Sequence, residues 1–304
     1  MLEVTFLGTA GSFPTADRNL SAVAVRRKGD LILLDCGEGT QQRISKAKIG
    51  LRPKMKILVT HLHGDHILGI PGILQTLSLF DRVSPLEIYG PEGIGDFIRC
   101  IRQTVRFSLS FSLEVHEVGE GVVCREEEYT INAAWVEHSV PCLAYALVES
   151  DRLGRFYPEK AISLGVPKGP LWSRLQRGSD VTLPDGRVVR SGEVVGSSRR
   201  GRKLVYAMDT RPCDAVLRLA EGADMLIYEA TLDDSLVEKA RESYHSTPSQ
   251  GAEIAREAGV RRLVLTHISG RYGSMDGFLG GARDIFPATQ VAEDMMVVKV
   301  PYSE

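Results

Sequence analysis

The stretch ILVTHLHGDHILG at residues 57–69 places His61, His63, Asp65 and His66 within six positions directly after an apolar run, while the chain's other four histidines stand singly. Three imidazoles and a carboxylate crowded together resist protonation and cost desolvation unless a cation sits among them. These are metal-ligand types. On a strand, residues two apart share a face, so the pattern predicts His61 and His63 projecting together with Leu62 turned back into the sheet. Gly64 permits a tight turn, Asp65 suits the N-cap of a following helix, and His66 falls in that helix's first turn. In the helical H-E-x-x-H pattern both histidines share one helix face and serve one metal. A cluster divided between a strand end and a helix start suits two neighbouring ions better than one.

Further ligand types stand at the carboxyl ends of other apolar runs: His138 closes INAAWVEHS, Asp209 closes KLVYAMDT and His267 closes RRLVLTHIS. Such strand ends are where α/β folds gather their sites. The elements that must position these groups alternate along the chain. LEVTFLG, LSAVAVR, LILLDCG, KMKILVTHL and LEIYGP read as strands, with helices through TQQRISKAK, DHILGIPGILQTLSLF and GIGDFIRCIRQTV. The second half repeats the alternation with strands KLVYAMD, ADMLIYEAT, RRLVLTHIS and MMVVKV, and helices in DSLVEKARES and from Thr247 to Ala258. Thr247 followed by Pro248 makes an N-cap and first-turn pair. Two such halves predict two packed sheets with helices outside, and KILVTHLHG and RLVLTHISG echo one another as a pseudo-symmetric pair would.

At 304 residues, with 43% hydrophobic and 25% charged side chains, the composition is that of a globular protein. No apolar run approaches the ~20 residues of a membrane span, and MLEVTFLGTAGS reads as a strand and turn, not a signal peptide. A cytoplasmic protein without a membrane partner is expected. Five cysteines without a C-x-x-C pair read as buried thiols. Residues 151–203 break the rhythm: twelve are Gly or Pro, and twelve Lys/Arg face five Asp/Glu in a chain of net charge −2. GVPKGPLW reads as irregular, so this segment is expected to be an insertion or arm outside the main core, its basic charge either a solvated surface or an electrostatic footprint for phosphate.

Through THLHGDH and the downstream order His, Asp, His, the sequence resembles the metallo-β-lactamase superfamily. More narrowly it resembles the short form of the transfer-RNA 3′-processing endoribonucleases, the ribonuclease Z family. FLGTAGSFPTADRN, LLDCGEGTQQR, YGPEG, EHSVP, GVPKGPLW, AMDT, YEAT and YHST all fall in that family's order. The resemblance implies an α/β fold, a four-layer αββα sandwich formed by a single domain over residues 1–304, with a protruding Gly/Pro-rich basic arm at 151–203. It implies two Zn2+ per subunit, one held by His61, His63 and His138, the other by Asp65, His66 and His267, with Asp209 bridging. Asp65 would also act as general base; His245 would donate a proton to the departing 3′ oxygen, oriented by Glu229. The substrate implied is precursor transfer RNA (tRNA), cut to leave a 3′-hydroxyl on the tRNA and a 5′-phosphate on the trailer. The arm would be an exosite gripping the folded tRNA, with Lys168 and Arg174 as candidate contacts, and in a homodimer one subunit's arm would serve the other's metals. The family's P-x-K-x-R-N loop stands here as PTADRN, so Arg18 and Asn19 are carried over as substrate-binding while Ala16 replaces the lysine. His116 is left as an ordinary side chain. Three rivals predict other features: a small-ester phosphodiesterase of this fold needs no basic arm, a diiron oxidoreductase needs a carboxylate among the histidine ligands and an attached flavin domain, and a non-catalytic RNA-binding subunit would show eroded ligands.

Overall fold

The computed structural model describes residues 2–51, 54–275 and 277–302. The chain forms two compact units: one runs to Val148 and resumes at Lys203, ending at Pro301; the other holds Glu149–Arg202 and Tyr302.

The larger unit is built on two seven-stranded mixed sheets. In the first, Val297–Val300, Leu2–Gly8, Ala22–Arg27 and Asp30–Leu34 run antiparallel; Lys54–Leu58, Leu86–Gly90 and Leu113–Glu117 continue it in parallel. The second runs Thr289–Val291, Leu263–Thr266, Met225–Glu229, Lys203–Ala207, Cys142–Glu149, Tyr129–Val136 and Gly121–Arg125. Its first four strands are parallel. Interior strands such as Leu263–Thr266 and Met225–Glu229 are buried along their whole length because both faces are covered, and alternate residues serve different layers, whereas the edge strand Val297–Val300 alternates exposed and buried. Val4, Phe6, Val23 and Val25 enter the core between the sheets, where Tyr145, Tyr206, Ile227 and Val264 meet them from the second sheet. Leu7, Ala22 and Ala24 turn to the outer layer with Ile44, Ile73, Leu74 and Ile98 of the helices Thr40–Lys46, Ile70–Leu79 and Ile94–Thr104. On the far side, Leu226, Tyr228, Leu263 and Leu265 pack with Val216, Ala252 and Ala255 of Asp214–Ala220 and Pro248–Glu257. Helix, sheet, sheet, helix is the expected order of layers.

The echoing segments KILVTHLHG and RLVLTHISG supply one interior strand to each sheet, Lys54–Leu58 and Leu263–Thr266. The capping pair of the Pro248–Glu257 helix also takes its place, with Thr247 N donating to Gln250 Oε1 at 3.0 Å. Leu113–Glu117, Gly121–Arg125 and Cys142–Glu149 are strands beyond those expected. The cysteines divide: Cys36, Cys124 and Cys142 are buried, but Cys100 is exposed because it lies on the outer face of the amphipathic helix Ile94–Thr104.

The smaller unit corrects one expectation. GVPKGPLW is not irregular throughout, since Pro170 opens a helix that runs to Gln176. Proline is compatible with a helix's first position, where its missing N–H has no intrahelical partner anyway. With the helices Pro158–Ser163 and Ser191–Val194 and the hairpin Val181–Thr182/Val188–Val189, it encloses a small core of Ala161, Val166, Leu175, Val181, Leu183, Val189 and Val194. The sparse apolar residues are thus collected on one inside. The chain enters and leaves side by side, with Arg152 N donating to Arg199 O at 2.8 Å and Arg199 N to Arg152 O at 2.9 Å.

Candidate metal centre

The sequence places candidate ligands where strands end, and the fold brings those ends together. Lys54–Leu58 stops before the histidines; Val59 N still bonds Tyr89 O at 2.8 Å, and Thr60 N turns to the Asp35 carboxylate at 2.8 Å. His61 and His63 therefore project from the loop after the strand, not from the strand itself. The short helix Gly64–Ile67 is entered through His63, and Asp65 sits in its first turn instead of capping it. Its carboxylate is committed elsewhere: Oδ2 accepts a hydrogen bond from Ser12 N at 2.8 Å.

His61, His63, His138 and Asp209 form one group of ligand atoms, Asp65, His66 and His267 a second, and Asp209, His245 and His267 a third that overlaps both, each with its ligand atoms within 4.8 Å of one another. Asp209 belongs to the first two by geometry. Its Oδ2 lies 3.6 Å from His61 Nε2 and 3.8 Å from His138 Nε2; its Oδ1 lies 3.1 Å from His267 Nε2 and 3.5 Å from His66 Nε2. Yet Oδ1 is buried and accepts no hydrogen bond among the described residues. A buried carboxylate oxygen without a donor is costly, and a cation would satisfy it.

The opposite edges of the rings show which nitrogens are free to ligate. His61 Nδ1 is 3.0 Å from Thr60 Oγ1, His66 Nδ1 2.8 Å from Asp35 Oδ2, His267 Nδ1 2.9 Å from Thr231 Oγ1 and His138 Nδ1 3.4 Å from Tyr244 O. With each Nδ1 so held, the proton stays on that side and the Nε2 lone pair faces the centre, the arrangement by which outer partners orient metal-binding imidazoles. Sequence reasoning missed those partners. Asp35 ends the run LILLDCG, the same signal that marked Asp209, but its partner His66 is 31 residues away.

Charge follows the geometry. Burial disfavours a protonated His66, but Asp209 and Asp35 outweigh it and lift the pKa well above the usual imidazole value. Asp65 and Asp209 are held below the ordinary carboxylate range; burial opposes ionisation, while neighbouring histidines favour it. A divalent cation entering here would displace protons. The donor set, nitrogen and carboxylate oxygen, fits such a cation.

Beside the first two groups, His245 Nδ1 is 2.9 Å from Glu229 Oε1, and Glu229, fully buried, also accepts from Thr210 N at 2.9 Å and Thr231 N at 3.0 Å. The His245 ring centre lies 5.5 Å from that of His138 and 5.7 Å from that of His267. Burial lowers its pKa, but the Glu229 carboxylate dominates and raises it to about 9. Several residues at the centre hold left-handed backbone without being glycine: Asp35 at φ 54°, Asp209 at 47°, Tyr244 at 61° and His267 at 59°. Strain of this kind persists where the surroundings over-determine it.

The remaining candidates stand differently. Arg18 donates to Thr9 Oγ1 and Ala292 O, both at 2.7 Å, and Asn19 Nδ2 donates to Glu38 O at 2.9 Å, so both side chains tie down their own loop. Lys168 and Arg174 are exposed in the smaller unit. His116 stacks on Tyr89 with ring centres 4.6 Å apart.

Residues 2–147 match a family model described as anti-Pycsar protein Apyc1, and residues 176–268 match one described as a beta-lactamase superfamily domain. Over 303 residues the sequence is 48% identical to a ribonuclease Z of Methanosarcina acetivorans, covering 99% of each chain. It is 44% identical over 306 residues to one of Brevibacillus brevis, covering 98% of this chain and 96% of the other. Among solved structures, the short form of human tRNase Z aligns with a TM-score of 0.72 at 31% identity, over 98% of this chain and 99% of that one. The metallo-beta-lactamase fold protein YhfI of Bacillus subtilis, 20% identical with a TM-score of 0.67, shares the fold.

Proposed function

Because this chain belongs to the ribonuclease Z family, we propose that it is a metal-dependent endoribonuclease that removes the 3′ trailer from precursor tRNA, leaving a 3′-hydroxyl on the tRNA and a 5′-phosphate on the trailer. The observation that carries the reading is Asp209, whose two oxygens are divided between two histidine groups and whose buried Oδ1 accepts no hydrogen bond among the described residues.

Two zinc ions per subunit fit this donor set. His61, His63 and His138 would hold one, Asp65, His66 and His267 the other, and Asp209 both. When bound, they would lower the pKa of water toward ~7 and neutralise phosphate oxygens. Asp65, anchored by Ser12 N, stays ionised and accepts the proton of the attacking water. His245, protonated at neutral pH beside Glu229, donates to the 3′ oxygen as it leaves. The water attacks directly, so the RNA's own 2′-hydroxyl takes no part.

The smaller unit supplies the grip. Its excess of Lys/Arg suits phosphate contacts that position a folded RNA without reading its bases, with Lys168 and Arg174 as contacts. Arg18 and Asn19 contribute by shaping the loop they brace. The reading includes a cytoplasmic homodimer in which one subunit's basic unit serves the other's metals; its support is family resemblance. No helix among the described residues is long and apolar enough to cross a membrane.

One end-labelled precursor tests the whole. Purified protein should release the trailer, and chelator or Asp65→Ala should each abolish cleavage. Intact precursor after incubation with fully metallated wild type would reject the assignment.

A further inference from the structure

Next to the first histidine group lies an open groove of about 600 Å3 lined by Glu92, Glu117, Val118, Gly119, Trp135 and Pro141. Trp135 is three residues before His138 and Pro141 three after it, so both walls stand within about 10 Å of that candidate ligand by chain length alone. The third wall is as close in contact terms. Gly93, next to Glu92, sits against Leu62, the residue between His61 and His63: a Cβ added there would meet Leu62 Cδ1 at 2.9 Å.

The groove is braced. Glu117 Oε1 accepts from Gly93 N at 3.0 Å and Gly95 N at 3.2 Å, pinning the start of the Ile94–Thr104 helix, and Val118 N donates to Gly90 O at 2.8 Å. Gly119 flanks the indole, where a Cβ would make ordinary contact with Trp135 Cζ2 at 3.6 Å. Against this fixed frame Trp135 is 40% exposed, and its indole nitrogen has no hydrogen-bond partner among the described residues.

We propose that this groove seats an unstacked nucleobase of the single-stranded RNA flanking the cut, with Trp135 as its stacking platform. The inference rests on the endoribonuclease reading above and extends it to a substrate-binding residue. A phosphate would be repelled by Glu92 and Glu117, whereas a neutral flat base finds an indole face, a proline ring and carboxylates able to accept from its amino groups. Close to the scissile bond, such bases come from the single-stranded 3′ end of the tRNA on one side and from the trailer on the other. One ring chemistry serves both sources.

The test compares wild type, Trp135→Ala and Trp135→Phe on three precursors: an unmodified one, one abasic at the first trailer nucleotide and one abasic at the last tRNA nucleotide. Losing a stacked base is worth about 5- to 150-fold in binding. Trp135→Ala should raise KM for the unmodified precursor at least 5-fold with kcat within about 2-fold, and Trp135→Phe should recover most of it. One abasic precursor should carry the same KM penalty in wild type and no further penalty in Trp135→Ala, which identifies the source of the base. Bound metal content should be unchanged in both variants. Unchanged KM in Trp135→Ala, equal further penalties on both abasic precursors, or loss of metal in step with the KM change would each overturn the proposal. Because Trp172 is the chain's other tryptophan, Trp172→Phe isolates the indole signal. Tetra-adenylate should quench it saturably whether or not the precursor is cut, and no quenching at millimolar concentration would sink the platform independently of the cleavage reading.

Discussion

Asp35 belongs to neither group of candidate ligands, yet it decides where His66 points. Its Oδ2 meets His66 Nδ1 at 2.8 Å and accepts from the Tyr206 hydroxyl at 2.9 Å, while Oδ1 accepts from Thr60 N at 2.8 Å, all in full burial. Asp35→Asn keeps the shape but replaces an acceptor oxygen with a donor, so metal affinity should fall about 10- to 100-fold, the usual loss when such a partner goes. Competition against a chromophoric chelator measures it; wild-type affinity would mean the imidazole needs no such guide. Glu229 plays the matching part for His245. With that pKa raised to about 9, the imidazolium is complete below the ordinary imidazole range and is lost as pH climbs through about 9. In Glu229→Gln burial acts without its counterweight, so the alkaline limb of kcat/KM for precursor tRNA should move to lower pH. Activity near neutrality should drop about 100-fold or more, the scale of general-acid catalysis. A p-nitrophenolate leaving group needs no proton, so small-ester turnover should be nearly spared; equal losses on both substrates would remove His245 from the acid role. The ligand types were legible in the sequence because crowded imidazoles have few other uses. Asp35 and Thr231 were not, because each acts through a ring nitrogen 31 or 36 residues away that only the folded loops bring within reach.

At the scale of elements, period and punctuation located most interior strands and the long helices, since a run such as RRLVLTHIS has no polar face to offer solvent, but not the interior strand Cys142–Glu149. Punctuation misled where elements are short. Gly and Pro in GVPKGPLW read as breakers, but Gly169–Pro170 marks a helix start: Gly169 holds φ 140° and ψ −149°, which only glycine adopts readily, and Pro170 occupies the first turn. Nothing crowds Gly169, so Gly169→Ala brings strain without a clash, at a cost of about 1–3 kcal/mol that the unit can relieve by re-aiming the Pro170–Gln176 helix. That helix carries Arg174 and follows Lys168. The expected result is a KM for precursor tRNA raised severalfold, with unchanged bis(p-nitrophenyl) phosphate turnover and unchanged metal content. An unaltered KM would place the RNA contacts elsewhere in the unit. The strand before His61 shows the complementary error. An apolar run predicts a strand to its last residue, but Lys54–Leu58 ends early because the Asp35 carboxylate takes the Thr60 backbone N–H beyond it.

For the whole molecule the governing quantity is the unevenness of charge. The net charge is −2, yet residues 151–203 carry twelve Lys/Arg against five Asp/Glu, so the remainder is strongly acidic and would repel a polyanion. If binding to tRNA runs through that one unit, it must carry nearly all of the salt dependence. Three or four phosphate contacts on a duplex-like body predict a roughly 40- to 150-fold rise in KM between 50 and 200 mM salt. The structure offers a clean way to remove the unit, because Arg152 and Arg199 pair across its base and residues 158–194 enclose their own small core. Excising Leu153–Ser198 and closing the pair with Asn-Gly should leave the sheets, the histidine groups and small-ester turnover intact. What remains should bind precursor weakly, with a much flatter salt profile, its main basic stretch being residues 39–64, which carry six Lys/Arg and no Asp/Glu. If the excised protein keeps a steep salt slope, the phosphate contacts lie on the acidic remainder, and charge distribution along the chain has pointed to the wrong surface.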